Sequence, residues 1–161
     1  MKILALSGSP RENGNTDRYL EIVLKECRAQ GAETELIRVC DLSVHGCRGC
    51  YGCVNAKACV HQDDFQLVFS KITEAAVLVL GSPVYHSSIT PELKAVLDRT
   101  GFCGRWAVSE MKAKEGAYEF NASILSGKIV APITVARRAG QNFAFAQLLL
   151  WAACNDCLIV N

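Results

Sequence analysis

Five short apolar segments alternate with helical segments along the chain, and this alternation limits the folds that the sequence can adopt. Residues 3–6 and 76–80 are apolar throughout, as in the middle of a parallel sheet. Residues 34–39 alternate between apolar and charged side chains, which is typical of an edge strand. Two further strands are predicted at residues 128–135 and 158–160. The pattern predicts an α/β fold with an open, five-stranded parallel sheet and helices on both faces.

Helical spacing of apolar residues follows each of the first four predicted strands. Asp63 or Asp64 is expected to cap the second helix, and Pro91 to begin the third. The helix at 143–153 is apolar nearly all round, which indicates a contact with another subunit. Residues 101–126 show only a weak pattern and are predicted as a long irregular connection.

Composition and length favour one soluble domain, residues 1–161. Half of the residues are hydrophobic, a fifth are charged, and the net charge is +1. A charge so close to zero gives no electrostatic case for binding nucleic acid or an anionic membrane. The apolar run at the N-terminus is too short for a signal peptide, and no apolar stretch approaches the ~18 residues of a membrane span. We expect a cytoplasmic protein.

A polar loop at residues 7–16, here called loop 1, joins the first strand to the first helix. Backbone N–H groups, hydroxyls and one guanidinium at the start of a helix suit a phosphate dianion. No lysine follows Gly14, so the loop is not the mononucleotide motif GxxxxGK[ST], and it does not match GxGxxG either. Asn15 or Thr16 is the expected N-cap. An ordinary βα turn with capping residues is the alternative.

Two more polar loops follow the third and fourth strands. Loop 2 (residues 81–89) contains GSPVYHS, and loop 3 (residues 136–142) contains ARRAGQN. Right-handed crossovers place all three loops at the carboxyl ends of the strands. Open sheets bind ligands at that edge, where the strand order reverses.

Together, the sequences SGSPRENGNT, GSPVYHS and VARRAGQN resemble the flavodoxin-like NAD(P)H-dependent FMN reductase family. The cysteine-rich segment is most similar to the iron–sulfur flavoprotein branch of that family, and the likeness covers nearly the whole chain. The resemblance implies a flavodoxin-like three-layer sandwich with strand order 2-1-3-4-5 and non-covalently bound FMN. Members usually continue into a final helix that this sequence lacks. Part of one sheet face is therefore expected to be covered by a partner, in a homodimer or homotetramer.

The resemblance also implies roles for individual residues of the three loops. The FMN phosphate would be held by Ser9, Arg11, Asn15 and Thr16. The isoalloxazine ring would be lined by Pro83, Val84, Tyr85 and His86, and the third side closed by Arg137, Arg138 and Gly140. No catalytic side chain is expected, because flavin N5 carries the chemistry. The alternatives are a core aromatic at Tyr85, an incidental histidine at 86 and a solvated arginine pair in loop 3.

Four of the nine cysteines lie within 13 residues, in a segment here called the cysteine loop (residues 44–60). Their spacing is Cys47-x2-Cys50-x2-Cys53-x5-Cys59. A 4Fe–4S cluster needs four thiolates around one small body, and a tight run of this kind can supply them. Zinc sites more often pair two CxxC units across a longer spacer. The resemblance makes all four residues cluster ligands, while free thiols and zinc are the alternatives.

These observations favour an FMN oxidoreductase that takes electrons from NAD(P)H or another donor. The expected acceptor is a quinone-like compound, a flavin or a protein, reached through a 4Fe–4S cluster if one is present. A thiol- or metal-binding redox sensor, or an interaction module on the same scaffold, is the alternative of a different class.

Overall fold

The computed structural model of the protein describes residues 1–108, 113–114, 117–118 and 123–160. Within these residues the elements follow in the order β1 (Lys2–Ser7), α1 (Asn15–Ala29), β2 (Glu33–Arg38), a 3₁₀ turn (Val39–Asp41), α2 (Gly52–Ala56), α3 (Phe65–Glu74), β3 (Val77–Pro83), α4 (Pro91–Val108), β4 (Ala113–Lys114), β5 (Ala117–Tyr118), β6 (Ile129–Val135), α5 (Gln141–Cys154) and β7 (Leu158–Ile159). Among the described residues, no helix combines the length and the hydrophobicity that a membrane span requires.

The main sheet is parallel throughout, with strand order β2-β1-β3-β6-β7. Counted along the chain, this is the predicted order 2-1-3-4-5, and β2 lies at an edge as its alternating sequence predicts. In register, Ser7 lies beside Arg38 on one side and beside Gly81 on the other, while Pro83 lies beside Val135. The carboxyl ends of four strands therefore meet at one edge of the sheet.

Helices cover both faces of the sheet, because successive strand residues point to opposite sides. The face with Ile3, Ala5 and Val79 packs against α1. The face with Leu4 and Leu80 packs against α3, α4 and α5. Burial on both sides explains why β1 and β3 are continuously apolar.

Residues 101–108, which the sequence predicts as irregular, instead continue α4 without a break. Gly101 and Gly104 weaken the helical signal in the sequence because glycine is a poor helix former. In the structure they allow close packing: a Cβ at Gly104 would lie 3.0 Å from Ile124 Cγ1. Residues 113–114 and 117–118 form a short antiparallel pair. Residues 123–126 are irregular and in a turn, as predicted, and residues 109–112, 115–116 and 119–122 lie outside the described residues.

Pro132 lies inside β6, where a strand residue normally donates a hydrogen bond. Lys128 and Val130 accept bonds from the β7 segment, whereas Ile129 donates to the β3 side. By this alternation Pro132 faces the β7 side of the strand. Since β7 pairs only as far as Val130, the missing N–H of Pro132 leaves no ladder bond unmade.

Candidate functional site

Loop 1 is folded tightly on itself around the side chain of Ser9. The Ser9 hydroxyl accepts a bond from the Arg11 N–H at 3.2 Å and donates to the Arg11 carbonyl oxygen at 3.0 Å. The same carbonyl accepts from the N–H of Gly14. Gly14, rather than the predicted Asn15 or Thr16, is the N-cap of α1, and no side chain caps this helix. The first N–H groups of any α-helix have no intrahelical partners, and in α1 no capping side chain satisfies them.

A buried network that the sequence analysis missed supports loop 1 from below. The Asp17 carboxylate accepts bonds from the Ser7 hydroxyl and from Arg38. Arg38 also donates to the Arg11 carbonyl oxygen at 3.0 Å, so it ties the edge strand to the loop. Its bond to Asp41, followed by the charge of Asp17, raises the pKa of the Arg38 guanidinium. The strand order could have revealed this contact, because it places the end of β2 beside the end of β1.

Loops 1, 2 and 3 meet around one cleft of about 470 Å³ at the carboxyl edge of the sheet. Eight of the eleven residues predicted to hold FMN line it: Ser9, Arg11, Asn15, Thr16, Pro83, Val84, Tyr85 and Arg137. Gly14, Val135 and Ala136 complete the wall. Two exposed guanidinium groups and the start of α1 thus face a cleft whose other side is apolar, which suits a phosphorylated aromatic ligand.

The other three predicted residues, His86, Arg138 and Gly140, do not line the cleft. His86 and Ser87 both have positive φ, at the tip of a tight turn in which Tyr85 and Ser88 exchange backbone bonds. A Cβ at Gly140 would lie 2.8 Å from Ser87 Oγ. Gly140 therefore lets loop 3 approach loop 2 closely. It affects the shape of the cleft without lining it.

The four cysteines of the cysteine loop line a second, smaller cavity beside α4. Cys47 and Cys50 are exposed, whereas Cys53 and Cys59 are half-buried. The Cys50 sulfur lies 3.5 Å from His61 Nε2. Tyr51 packs edge-on against Phe102 of α4, with 6.2 Å between ring centroids, and holds the loop against that helix.

A fifth thiol, Cys103 of α4, lines the same cavity and was not predicted as part of a site. Burial, together with the nearby Cys53 and Cys59, raises the pKa of the Cys103 thiol. Burial also raises the pKa of Cys53. The sequence offered one signal: Cys103 lies seven residues after Val96, on the buried face of α4. The sequence does not reveal this position of Cys103, because the pattern predicts an irregular connection from residue 101 onward.

The amino-acid sequence matches the NADPH-dependent FMN reductase family over residues 1–161. The chain belongs to the NADPH-dependent FMN reductase family. This is a family of flavin-dependent oxidoreductases, and the strand order is that of its flavodoxin-like fold.

Relatives of this FMN reductase family member include archaeal iron–sulfur flavoproteins. It is 30% identical over 154 residues to one from Archaeoglobus fulgidus, covering 94% of this chain and 68% of that protein. It is 37% identical over 100 residues to another from Methanocaldococcus jannaschii, covering 62% of this chain and 52% of that protein. The matches thus span about half to two thirds of these relatives. The crystal structure of RosB with a bound riboflavin-phosphate intermediate has a similar fold (TM-score 0.74, 18% identity, 99% of this chain and 61% of that one).

The cysteine loop of this family member has the donor set of an iron–sulfur site. Four thiols from one segment line one cavity, and Arg99, which also lines it, has a buried Nε with no hydrogen-bond partner among the described residues. Within those residues no group of three or more His, Cys, Asp or Glu side chains is arranged to hold a single metal ion. A cubane cluster is a larger body that takes one thiolate at each of four irons. The donor chemistry therefore fits a cluster.

Proposed function

We propose that this chain is an FMN-dependent oxidoreductase that passes electrons between NAD(P)H or another redox carrier and a quinone-like, flavin or protein acceptor. The observation that supports the proposal best is the cleft, where three loops separated in the sequence bring eight of the expected residues together. Bound FMN would supply hydride transfer, and the protein would supply binding, orientation and charge.

The loop 1 side of the cleft would hold the phosphate. Arg11 is exposed at its wall, and the Ser9 hydroxyl and the N–H groups of Asn15 and Thr16 lie at the positive end of α1. Ser9 fixes the turn through its two bonds to Arg11. Its role is therefore to hold the backbone donors in place as well as to contact the ligand.

The loop 2 and loop 3 sides would hold the flavin ring. Pro83, Val84 and the partly exposed Tyr85 offer an apolar wall. Arg137 brings a positive charge to the same cleft, where it would stabilise an anionic reduced flavin. His86, Arg138 and Gly140 would act through the shape of the two loops.

We also propose that Cys47, Cys50, Cys53 and Cys59 hold a 4Fe–4S cluster, which would supply one-electron transfer when bound. Two observations support this proposal: the shared cavity of the four thiols and the names of the archaeal relatives. The side chains of this chain would bind the cluster, and the contact between Tyr51 and Phe102 would shield one side of it from water.

The exposed apolar side chains of α5 support a homodimer or homotetramer. Phe143 is 69% exposed and Leu150 is 65% exposed, although Ala144 and Leu148 of the same helix are fully buried. Leu150 lies in an apolar groove with Phe102, Trp106 and Trp151. A second copy of the chain is the proposed occupant, since the helix is apolar on both its inner and its outer side.

An FMN titration of the variant Arg11→Ala tests the flavin site. Loss of a charge-assisted bond to phosphate should weaken FMN binding about ten- to a hundredfold. Arg18→Ala removes the same charge from the same end of α1 but outside the cleft wall, and it should change the affinity little. Equal affinities in the two variants would contradict the phosphate assignment.

Iron and sulfide analysis of anaerobically prepared protein, with its visible spectrum, tests the cluster. Cys53→Ser should lose the iron, whereas Cys27→Ser, on α1 and outside the cysteine cavity, should keep it. Zinc in place of iron, or no bound metal, would favour the thiol- or metal-sensor alternative for the cysteine loop.

A further inference from the structure

A single arginine in the middle of α4, Arg99, contacts both ends of the cysteine loop. Its Nη1 donates to the His45 carbonyl oxygen at 3.1 Å, two residues before the first cysteine. Its Nη2 donates to the His61 carbonyl oxygen at 3.0 Å and to the Cys59 sulfur at 3.1 Å. One guanidinium thus joins the start of the loop, its end and one of the four thiols.

The orientation of Arg99 is fixed by groups outside the cysteine loop. Its side chain is 2% exposed and forms an ion pair with Asp63, with 2.6 Å between Nη1 and Oδ2. The guanidinium carbon lies 4.1 Å from the centroid of the Phe65 ring. Asp63 is itself held by the backbone N–H groups of His45 and Phe65. These contacts therefore hold the planar guanidinium of Arg99 in the orientation in which Nη2 donates to the Cys59 sulfur.

The buried Nε of Arg99 provides a second, independent observation. It has no hydrogen-bond partner among the described residues, although Arg99 lines the cysteine cavity. A buried donor without an acceptor is costly and requires an explanation. A cluster in this cavity would bring sulfur acceptors to that wall.

We propose that Arg99 is a positioning residue for the cysteine loop, which holds both ends of the loop around the cavity and donates hydrogen bonds to the sulfurs of the site. The second part of the inference rests on the proposed cluster. Hydrogen bonds to cluster sulfurs favour the reduced state, which carries one more negative charge, and so raise the reduction potential. A lysine at position 99 keeps the positive charge that pairs with Asp63. Its single ammonium group cannot bond to the His45 carbonyl, the His61 carbonyl and the Cys59 sulfur at the same time.

Hydrogen exchange of the metal-free protein tests the positioning role without any cofactor. In Arg99→Lys, backbone amides of residues 44–60 should exchange at least tenfold faster than in the unchanged protein, while those of β1 and β3 keep their rates. Arg28→Lys, an exposed arginine of α1, is the matched control and should leave the loop unchanged. If circular dichroism shows that Arg99→Lys does not fold, Asp63→Asn is the second variant. It removes the charge that orients Arg99 and should give the same faster exchange in residues 44–60. Unchanged loop exchange in a folded variant would overturn the positioning role.

A redox titration of the cluster-loaded protein, followed by electron paramagnetic resonance with dithionite as the electron donor, tests the bonds to sulfur. Arg99→Lys should favour the oxidised cluster tenfold relative to the unchanged protein, which for one electron is a potential about 59 mV lower. If Arg99→Lys shows an unchanged potential but faster loop exchange, the proposed hydrogen bonds to cluster sulfur would be wrong, while the positioning role of Arg99 would stand. If the unchanged protein takes up no iron, the proposed cluster is wrong, and hydrogen exchange alone tests the positioning role of Arg99.

Discussion

At the scale of single residues, the cleft depends on side chains that never reach its surface. Asp17 is 6% exposed and connects Ser7 at the end of β1 to Arg38 at the end of β2. Arg38 in turn holds the Arg11 carbonyl oxygen. The network therefore fixes the backbone of loop 1 beneath the cleft.

Replacing Asp17 with alanine should lower the free energy of unfolding by about 3 kcal/mol, because Arg38 loses a buried partner but keeps Asp41. Urea unfolding measures the loss. Glu21→Ala removes a carboxylate from the exposed pair with Arg28 on the same helix and should cost less than about 1 kcal/mol. Equal losses in the two variants would show that the buried network contributes no more than a surface pair.

The pair of Asp63 and Arg99 should make stability depend on pH. Burial acts to raise the pKa of Asp63, but the bonds from Arg99, His45 and Phe65 outweigh it and hold this pKa below its ordinary value of 3.8. A depressed pKa in the folded state adds stability above the unfolded-state value, and this contribution is lost as the pH falls.

Asp63→Asn should therefore be less stable than the unchanged protein at pH 7, and the difference should narrow as the pH falls toward about 3. Urea unfolding of the metal-free proteins across this range measures the two curves. A constant difference at every pH would contradict the role of the Asp63 charge.

At the scale of elements, α4 connects the two sites, since it begins beside loop 2 and carries Arg99 and Cys103 to the cysteine cavity. Its two glycines are not equivalent. A Cβ at Gly101 would find ordinary contacts at 3.5 Å with Asn155 and Trp151, whereas one at Gly104 would meet Ile124 at 3.0 Å. The first position has room for a methyl group and the second requires its neighbour to move.

Gly101→Ala should raise the free energy of unfolding by about 0.5–1 kcal/mol, because alanine stabilises a helix relative to glycine. Gly104→Ala should gain less or lose stability, since the same helical benefit is offset by crowding at Ile124. Thermal or urea unfolding of both variants measures the difference. A larger gain at position 104 would contradict this account of the packing.

Periodicity and loop chemistry were sufficient to predict the five strands of the main sheet and the edge at which the loops meet, whereas the strand order was implied by the resemblance to the FMN reductase family. They could not predict the second half of α4, because Gly101 and Gly104 serve packing and obscure the helical pattern. Nor could they reveal Arg99 or Asp17. A charged residue among apolar ones can be recognised as part of a buried network only when its partner is known. Asp63, the partner of Arg99, is 36 positions away in the sequence.

At the scale of the whole molecule, the two cavities lie in separate places and a large apolar surface is left on α5. The proposed second copy would cover Leu150 and its groove. Leu150→Lys should then shift the protein toward monomer in sedimentation velocity. Leu67→Lys changes a leucine of α3 that is similarly exposed, at 54%, and should leave the distribution unchanged. A protein that is monomeric before any substitution would contradict the proposed assembly.

Pro132 has a consequence for the stability of the sheet. Beyond Val130 no described strand pairs with the outer side of β6. Pro132 is itself buried, so a strand from another molecule has no access to this part of the edge. Pro132→Val would place a buried N–H there with no strand partner among the described residues, and it should lower the free energy of unfolding by about 1–3 kcal/mol in urea unfolding.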